Sequence, residues 1–351
     1  MKTTVKKNPL SGWMGAVKKY SFVLVFLVIF IVYALVSNGL TWDGMMNVFR
    51  HSAVIGVMAI GMGIVCLTGE IDLSVGSMLA LTAGFSVVVF NQTGSILLTL
   101  LFALVCGGVL GGINGLLVGV VKMPAFIATL ATMLIYRSLA QYLCQRLPAE
   151  AIGGGSSVYR MSNQLAGYQP LYQFGNGKLA TLPIVGIVLI AVTALFVYLT
   201  SSTKFGKKIY AVGSNQKAAL LGGIKVSLMK TLVFVIAGVL TGVGAFLWIA
   251  MNASADPATT GKSYEMYAIA AVVLGGISMS GGRGRCLGVL FGAMSYTVID
   301  KIIIALKMDS LINDAIKGAI LIVVILIQIA GPVIKERLVR MRHGKKAAAH
   351  G

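Results

Sequence analysis

Long apolar runs recur along the whole chain, separated by short polar stretches, and they constrain this sequence more than any other feature. They fall at about 21–40, 52–68, 73–90, 96–121, 125–145, 183–201, 230–251, 266–279, 286–305 and 311–334. A helix crossing a bilayer needs roughly 20 apolar residues, so the pattern predicts an all-α, polytopic membrane protein of about ten transmembrane helices. Charged residues make up only 11% of the chain, against about 25% in soluble domains, too little to cover a water-facing surface. One transmembrane domain over 1–351 is expected. The basic stretch holding Lys2, Lys6, Lys7, Lys18 and Lys19 precedes the first run without a small-residue cleavage site, so that run reads as a retained span.

The net charge is +19, which raises the question of nucleic acid. The basic residues sit at the chain ends and in one central loop, with no basic face carrying interleaved aromatics to stack bases, so no nucleic-acid partner is expected. They set orientation instead. With the N-terminus inside, the inner segments hold 20 of the 29 Lys and Arg residues, as the positive-inside rule requires. Four segments follow: a cytoplasmic N-terminal segment 1–20, an outer loop 146–182, a cytoplasmic loop 202–229 and a basic cytoplasmic tail 335–351.

Gly107, Gly111, Gly115 and Gly119 stand four apart in the fourth run, and Gly238 and Gly242 repeat the spacing in the seventh. Small residues so spaced let helix backbones approach closely in lipid, so these six are candidate packing positions. Cys66, Cys106, Cys144 and Cys286 form no metal or redox spacing and read as small apolar residues. Neither metal nor cofactor is implied. Gly261-Lys262-Ser263 ends like a phosphate loop, but Asp256 stands where its first glycine belongs; the chain carries no visible means of hydrolysing ATP. The 146–182 loop holds Gly153-Gly154-Gly155 and several aromatics, and is either partner-facing or a connector.

Two stretches carry candidate chemistry. In the central loop, Ser214 or Asn215 can cap a helix, Ala218, Ala219, Leu220 and Leu221 are apolar, and Gly222-Gly223 stops it. An apolar helix among lysines at the inner surface fits resting on lipid headgroups and docking a partner equally well. The second feature is a pair of glycine-rich breaks, Gly69 to Gly76 and Gly275 to Gly282, both reading G-x-I-x-[LM]-S-x-G. Paired breaks in two halves of a transporter point to a substrate path. Glu70 and Asp72 in the first are functional if they lie inside the bilayer and ordinary if the break is a cytoplasmic turn. With Ser74, Glu265, Ser278 and Ser280 they form the candidate translocation path.

Three stretches then carry a resemblance: GEIDLSVGS (Gly69 to Ser77), VGSNQKAALLGGIKV (Val212 to Val226) and the long run from Pro257 to Ala293. The chain resembles, over about residues 45–330, the permease subunits of bacterial ABC importers for ribose, xylose, arabinose, galactose and related sugars. The resemblance implies a permease dimer, built with a second copy or a paralogue, in the bacterial inner membrane. It also implies a cytoplasmic ATP-binding subunit that hydrolyses ATP, a periplasmic sugar-binding protein, and a coupling helix at Ser214 to Gly223. Three departures stand out: Glu70 where that family commonly has glycine, Tyr267 where an acid is usual, and a longer 146–182 loop. A sugar-like signal such as autoinducer-2 is the alternative cargo. An ion-coupled secondary transporter would need acids within its spans, and Glu70, Asp72 and Asp300 are its candidates. A membrane enzyme would need a catalytic cluster, and none is visible in the sequence.

Overall fold

A computed structural model describes residues 21–37, 41–154 and 157–308, together with 312, 315–320, 322–323 and 326. The segments expected at 1–20 and 335–351 lie outside the described residues, as does most of the last expected span. In chain order the helices are α1 (Ser21–Val36), α2 (Trp42–Leu67), α3 (Val75–Thr93), α4 (Ile96–Gly119), α5 (Ala125–Arg146), α6 (Ala149–Ile152) and α7 (Tyr168–Asn176). There follow α8 (Ile184–Ser202), α9 (Lys204–Ser214), α10 (Gln216–Leu221), α11 (Val226–Asn252), α12 (Tyr264–Leu274) and α13 (Cys286–Ala305). Four two-residue strands, β1 (Tyr159–Arg160), β2 (Lys178–Leu179), β3 (Leu182–Pro183) and β4 (Ser254–Ala255), pair as β1–β4 and β2–β3.

Among the described residues six helices are long and apolar enough to cross a membrane: α2, α3, α4, α8, α11 and α13. α1 and α12 are shorter apolar helices. Local chemistry sets the boundaries. Thr41, Ser95 and Thr203 each accept a backbone N–H with their hydroxyl oxygen at the start of α2, α4 and α9, the usual N-cap arrangement. Thr41 lets α2 begin ten residues before the expected span, so that Arg50 and His51 lie within the helix rather than ahead of it. Arg50 donates to the side-chain oxygen of Asn176 on α7.

α2 is the centre of the bundle, buried along most of its length and packed by α8, α11, α12 and α13. The most extensive helix pair is α4 with α11, and here the two glycine stripes face each other. A Cβ built at Gly107 would strike the Gly238 carbonyl, and one at Gly111 would lie 2.8 Å from the Gly238 Cα. One at Gly115 would lie 2.7 Å from the Thr231 carbonyl oxygen, one at Gly119 2.6 Å from that of Ser227, and one at Gly242 would strike the Ala103 carbonyl. Ser227 and Thr231 complete the seam by donating their hydroxyls to Gly119 O (2.6 Å) and Gly115 O (2.9 Å).

The eighth expected span, 266–279, differs from what is found. After α11 the chain forms β4 and then runs without helix along α3, the Gly261 carbonyl lying against Gly76. α12 then covers only eleven residues, about 16 Å at 1.5 Å per residue and half a hydrocarbon core. It stops at Leu274, and 275–285 is irregular. Ile277 and Met279 prolong the apolar run beyond Leu274 before Arg283 and Arg285 end it, so hydropathy alone does not place the helix end.

Candidate functional site

One end of the bundle gathers the lysine-rich loop and both glycine-rich breaks. Gly282 N–H donates to Leu67 O at the end of α2 (2.9 Å). Gly213 fills the angle between them so closely that a Cβ there would strike the Leu67 carbonyl and the Gly282 amide. Tyr210 of α9 donates its hydroxyl to Gly284 O (2.8 Å); burial pushes this phenol up to about 12, which keeps it a donor. The loop expected to meet a partner is thus in backbone contact with the breaks expected to line the path.

The breaks themselves are alike in a register one residue away from the sequence match. Gly69 (φ +83°) and Gly276 (φ +78°) take the left-handed conformation. Glu70 N–H then bonds Val65 O (3.3 Å), as Ile277 N–H bonds Val272 O (3.1 Å), the Schellman closure of a helix end. Gly69 therefore corresponds to Gly276, whereas the shared G-x-I pattern pairs it with Gly275. Beyond that point the loops diverge. The second closes on itself through Ser278 N–H to Arg283 O (3.0 Å), and Ser280 is exposed. The first turns inward.

That inward turn makes Asp72 wholly buried. Its Oδ1 accepts the Ser74 N–H (2.9 Å) and hydroxyl (2.7 Å) and lies 3.5 Å from Asn114 Nδ2. Asn114 Nδ2 also donates to Ser74 Oγ (2.7 Å), and Asn114 Oδ1 accepts the Thr132 hydroxyl (2.7 Å). Thr129 Oγ1 accepts the Leu73 N–H (3.1 Å). Asn114 stands five residues before the end of α4 and Thr132 seven beyond the start of α5, so the network lies about 7–10 Å inside the helix ends. Asp72 is not in a solvated turn. Its second oxygen, Oδ2, has no hydrogen-bond partner among the described residues, and a bare buried carboxylate is costly.

Glu70 separates from Asp72 and faces a groove of about 930 Å³ between α10 and the ends of α4, α5 and α11. Lys122, Lys217, Lys225 and Lys230 line this groove, with Val118, Met123 and Leu220 among its apolar walls. Of the two capping candidates Asn215 is the cap, its Oδ1 accepting the Ala218 N–H (2.9 Å), while Ser214 ends α9. The apolar face expected from Ala218, Ala219 and Leu221 is rearranged: Ala219 is buried inward, while Leu220 and Leu221 are 63% and 90% exposed. Gly222 and Gly223 close the helix as expected of a stop signal, Gly223 with φ +79°.

Glu265 lies against Gly76 at the start of α3, close to Arg137 of α5. Arg137 donates to the carbonyls of Pro257 (3.0 Å) and Thr260 (2.7 Å) and so holds the extended stretch before α12 in place. The six path candidates therefore do not share one cavity: Asp72 and Ser74 are joined, Glu70 faces the groove, Glu265 faces Gly76, and Ser278 and Ser280 stay in the second break. Sequence reading passed over Asn114, Thr129, Thr132 and Arg137. Asn114 and Arg137 were detectable as polar residues within apolar helices; the threonines carry no such signal. All four cysteines are free, three of them buried, and among the described residues no cluster of His, Cys, Asp and Glu is placed to hold a metal.

A multi-pass helical bundle with paired helix breaks and a surface helix beside a lysine-lined groove has the architecture of a membrane transport permease. Residues 44–325 match the family described as "Branched-chain amino acid transport system / permease component", and the chain belongs to that family. It is 36% identical over 330 residues to the ribose import permease protein RbsC of Bacillus subtilis strain 168, covering 93% of this chain and 97% of the relative. It is 32% identical to RbsC of Escherichia coli K12, over 90% of this chain and 94% of the relative. The autoinducer 2 import system permease protein LsrC of Enterobacter sp. strain 638 is also 32% identical, over 93% and 88%. No solved structure matches the chain. It is a transport subunit of a multi-pass inner-membrane importer, whose family works in general with ATP-binding and substrate-binding partners.

Proposed function

We propose that this chain is the permease of an ATP-driven ABC importer for a monosaccharide, with ribose as its cargo, and that α10 is the helix through which a separate ATP-binding subunit drives it. The observation that carries the coupling role is the pair Leu220 and Leu221, exposed on a capped and glycine-stopped helix beside a lysine-lined groove. Exposed apolar side chains on a rigid element beside polar rims suit a protein partner. The contacts from α9 to both helix breaks give that partner a route into the bundle. The cargo rests on the ribose permeases, similar to this chain over nearly its whole length.

In this reading the lysine-rich end faces the cytoplasm, and the opposite end, with the folded 146–182 loop, meets a periplasmic sugar-binding protein. Two permeases make the pore. Asp72 and Ser74 hold the first break at the inner end of the path, and Glu265 borders it from α12. Because a soluble receptor selects the sugar beforehand, the path needs only weak contacts. The deciding experiment reconstitutes the chain with its ATP-binding subunit and receptor in proteoliposomes and measures ATP-dependent uptake of labelled ribose. Uptake that ignores ATP and collapses with the ion gradient would refute the reading. The similarity to LsrC sustains autoinducer-2 as a second cargo, and competition by unlabelled ribose separates the two.

A further inference from the structure

Lys230 does more than set orientation. It stands one turn into α11, and its ammonium donates to Glu70 Oε1 (2.5 Å) and to Gln216 Oε1 (3.3 Å). Gln216 is the first residue of α10. Glu70 lies two residues before Asp72, which fastens the start of α3 through Ser74. The Lys230 and Glu70 side chains are only 12% and 18% exposed, so this is not a solvent-screened surface pair of little consequence. Glu70 is also the one carboxylate among the described residues lining the groove, against four lysines.

We infer that Lys230 is a positioning residue that couples the surface helix to the path: it links α10 to the 68–74 break, and through Asp72 to α3. The inference rests on α10 being the docking helix. An ammonium has three donors on a flexible stem, so it can hold Gln216 and Glu70 together across two elements that share no backbone hydrogen bond. Only Gly222 to Lys225 separate α10 from α11, so a displacement of α10 reaches Lys230 from both sides. The charge-assisted bond to Glu70 is the stronger of its two contacts, so the 68–74 break follows Lys230 when α10 moves. Breaking that link should leave the partner bound but its hydrolysis unproductive.

The test uses the full importer in proteoliposomes with D-ribose as probe, reading ATP hydrolysed per sugar imported and the amount of ATP-binding subunit that co-purifies. Lys230→Met and Glu70→Gln should each raise the ATP cost per ribose at least fivefold with co-purification unchanged. Lys230→Arg should stay within twofold of the wild type, and the exchanged pair Glu70→Lys with Lys230→Glu should recover most of the loss. A wild-type ratio in Lys230→Met, or a Lys230→Arg protein as uncoupled as Lys230→Met, would overturn the inference. Loss of the ATP-binding subunit from Lys230→Met would do so too, by making Lys230 a docking residue. Failure of the wild-type assembly to import sugar with ATP would refute the functional reading itself, and the relay with it.

Discussion

Leu221→Asp is the sharpest perturbation of the proposed coupling helix α10, because its effects on folding and on docking separate. Leu221 is 90% exposed and Leu220 63%, so the isolated permease spends almost no packing energy on Leu221. A surface substitution of this kind changes stability by about 0.5 kcal/mol or less. Docking is different. Burying one leucine contributes about 1.5–3 kcal/mol, and an aspartate in its place loses that and adds an unpaired carboxylate. At about 1.4 kcal/mol per factor of ten, affinity for the ATP-binding subunit should fall at least ~10-fold and as much as ~150-fold.

The assay has two arms. Thermal unfolding of the detergent-solubilised permease should match the wild type, and titration of the purified ATP-binding subunit should show the weakened affinity. Ala219→Asp should behave in the opposite way. Ala219 is buried, so its replacement should destabilise the 203–226 loop itself. If Leu221→Asp binds its ATP-binding subunit with wild-type affinity and transports at the normal rate, α10 merely rests against lipid and the coupling assignment fails.

Asp72→Asn keeps an acceptor for Ser74 but puts an amide where Oδ2 has no partner, a change of about 1–3 kcal/mol for a buried unsatisfied group. Membrane yield should be largely kept while sugar uptake falls at least tenfold, and normal uptake would return Asp72 to a purely structural role. Gly111→Ala should lower thermal stability by roughly 1–3 kcal/mol through overpacking, whereas Gly112→Ala, whose added Cβ would meet only Val235 Cγ2 at 3.6 Å, should be nearly neutral; equal effects would dissolve the stripe argument. In a cysteine-free background, Ser214→Cys should resist an impermeant maleimide in sealed cells and Asn163→Cys should react with it. The reverse pattern would invert the orientation.

The legible parts of this chain are those where a single residue type imposes its geometry. Glycines at i, i+4 spacing announce a close helix contact before any partner helix is known, and the α4–α11 seam lies where the two stripes are. Asn215 and Gly222-Gly223 bracket a helix by capping chemistry alone. Apolar runs mark α4 and α8 well because lipid-facing helices are apolar all round. They mark the end of α12 badly, because Ile277 and Met279 carry the apolar run past Leu274, while the left-handed Gly276 has already stopped the helix. The Asp72 network was half visible. The acid and Ser74 sit in a glycine-rich break, but Asn114 and Thr132 are 40 or more residues away, and only folding brings α4 and α5 against the break. The G-x-I match between the breaks is one residue out of register with the structure, since the shared isoleucine does not mark the left-handed glycine that defines each helix end.

The position of α3 makes these separate observations a single mechanical argument. Its first residues are fastened to α4 and α5 through Asp72, Ser74 and Asn114. Near its last turn, Asn91 donates to Ala151 O and Arg160 O and accepts the Ser162 N–H, so the same helix anchors the loop at the far end of the bundle. Between them Gly76 lies against Gly261 and Glu265, and Gly84 lies against Tyr159. A helix is stiff along its axis, and a core packed to crystal-like density transmits displacement rather than absorbing it. Movement at the lysine-rich end that shifts Ser74 must therefore be felt at Asn91, some 17 residues and about 25 Å away. If the proposed partners act at the two ends, linkage makes their effects reciprocal: a receptor that alters the 146–182 loop would bias the 68–74 break, and an ATP-binding subunit that alters α10 would bias the 146–182 loop.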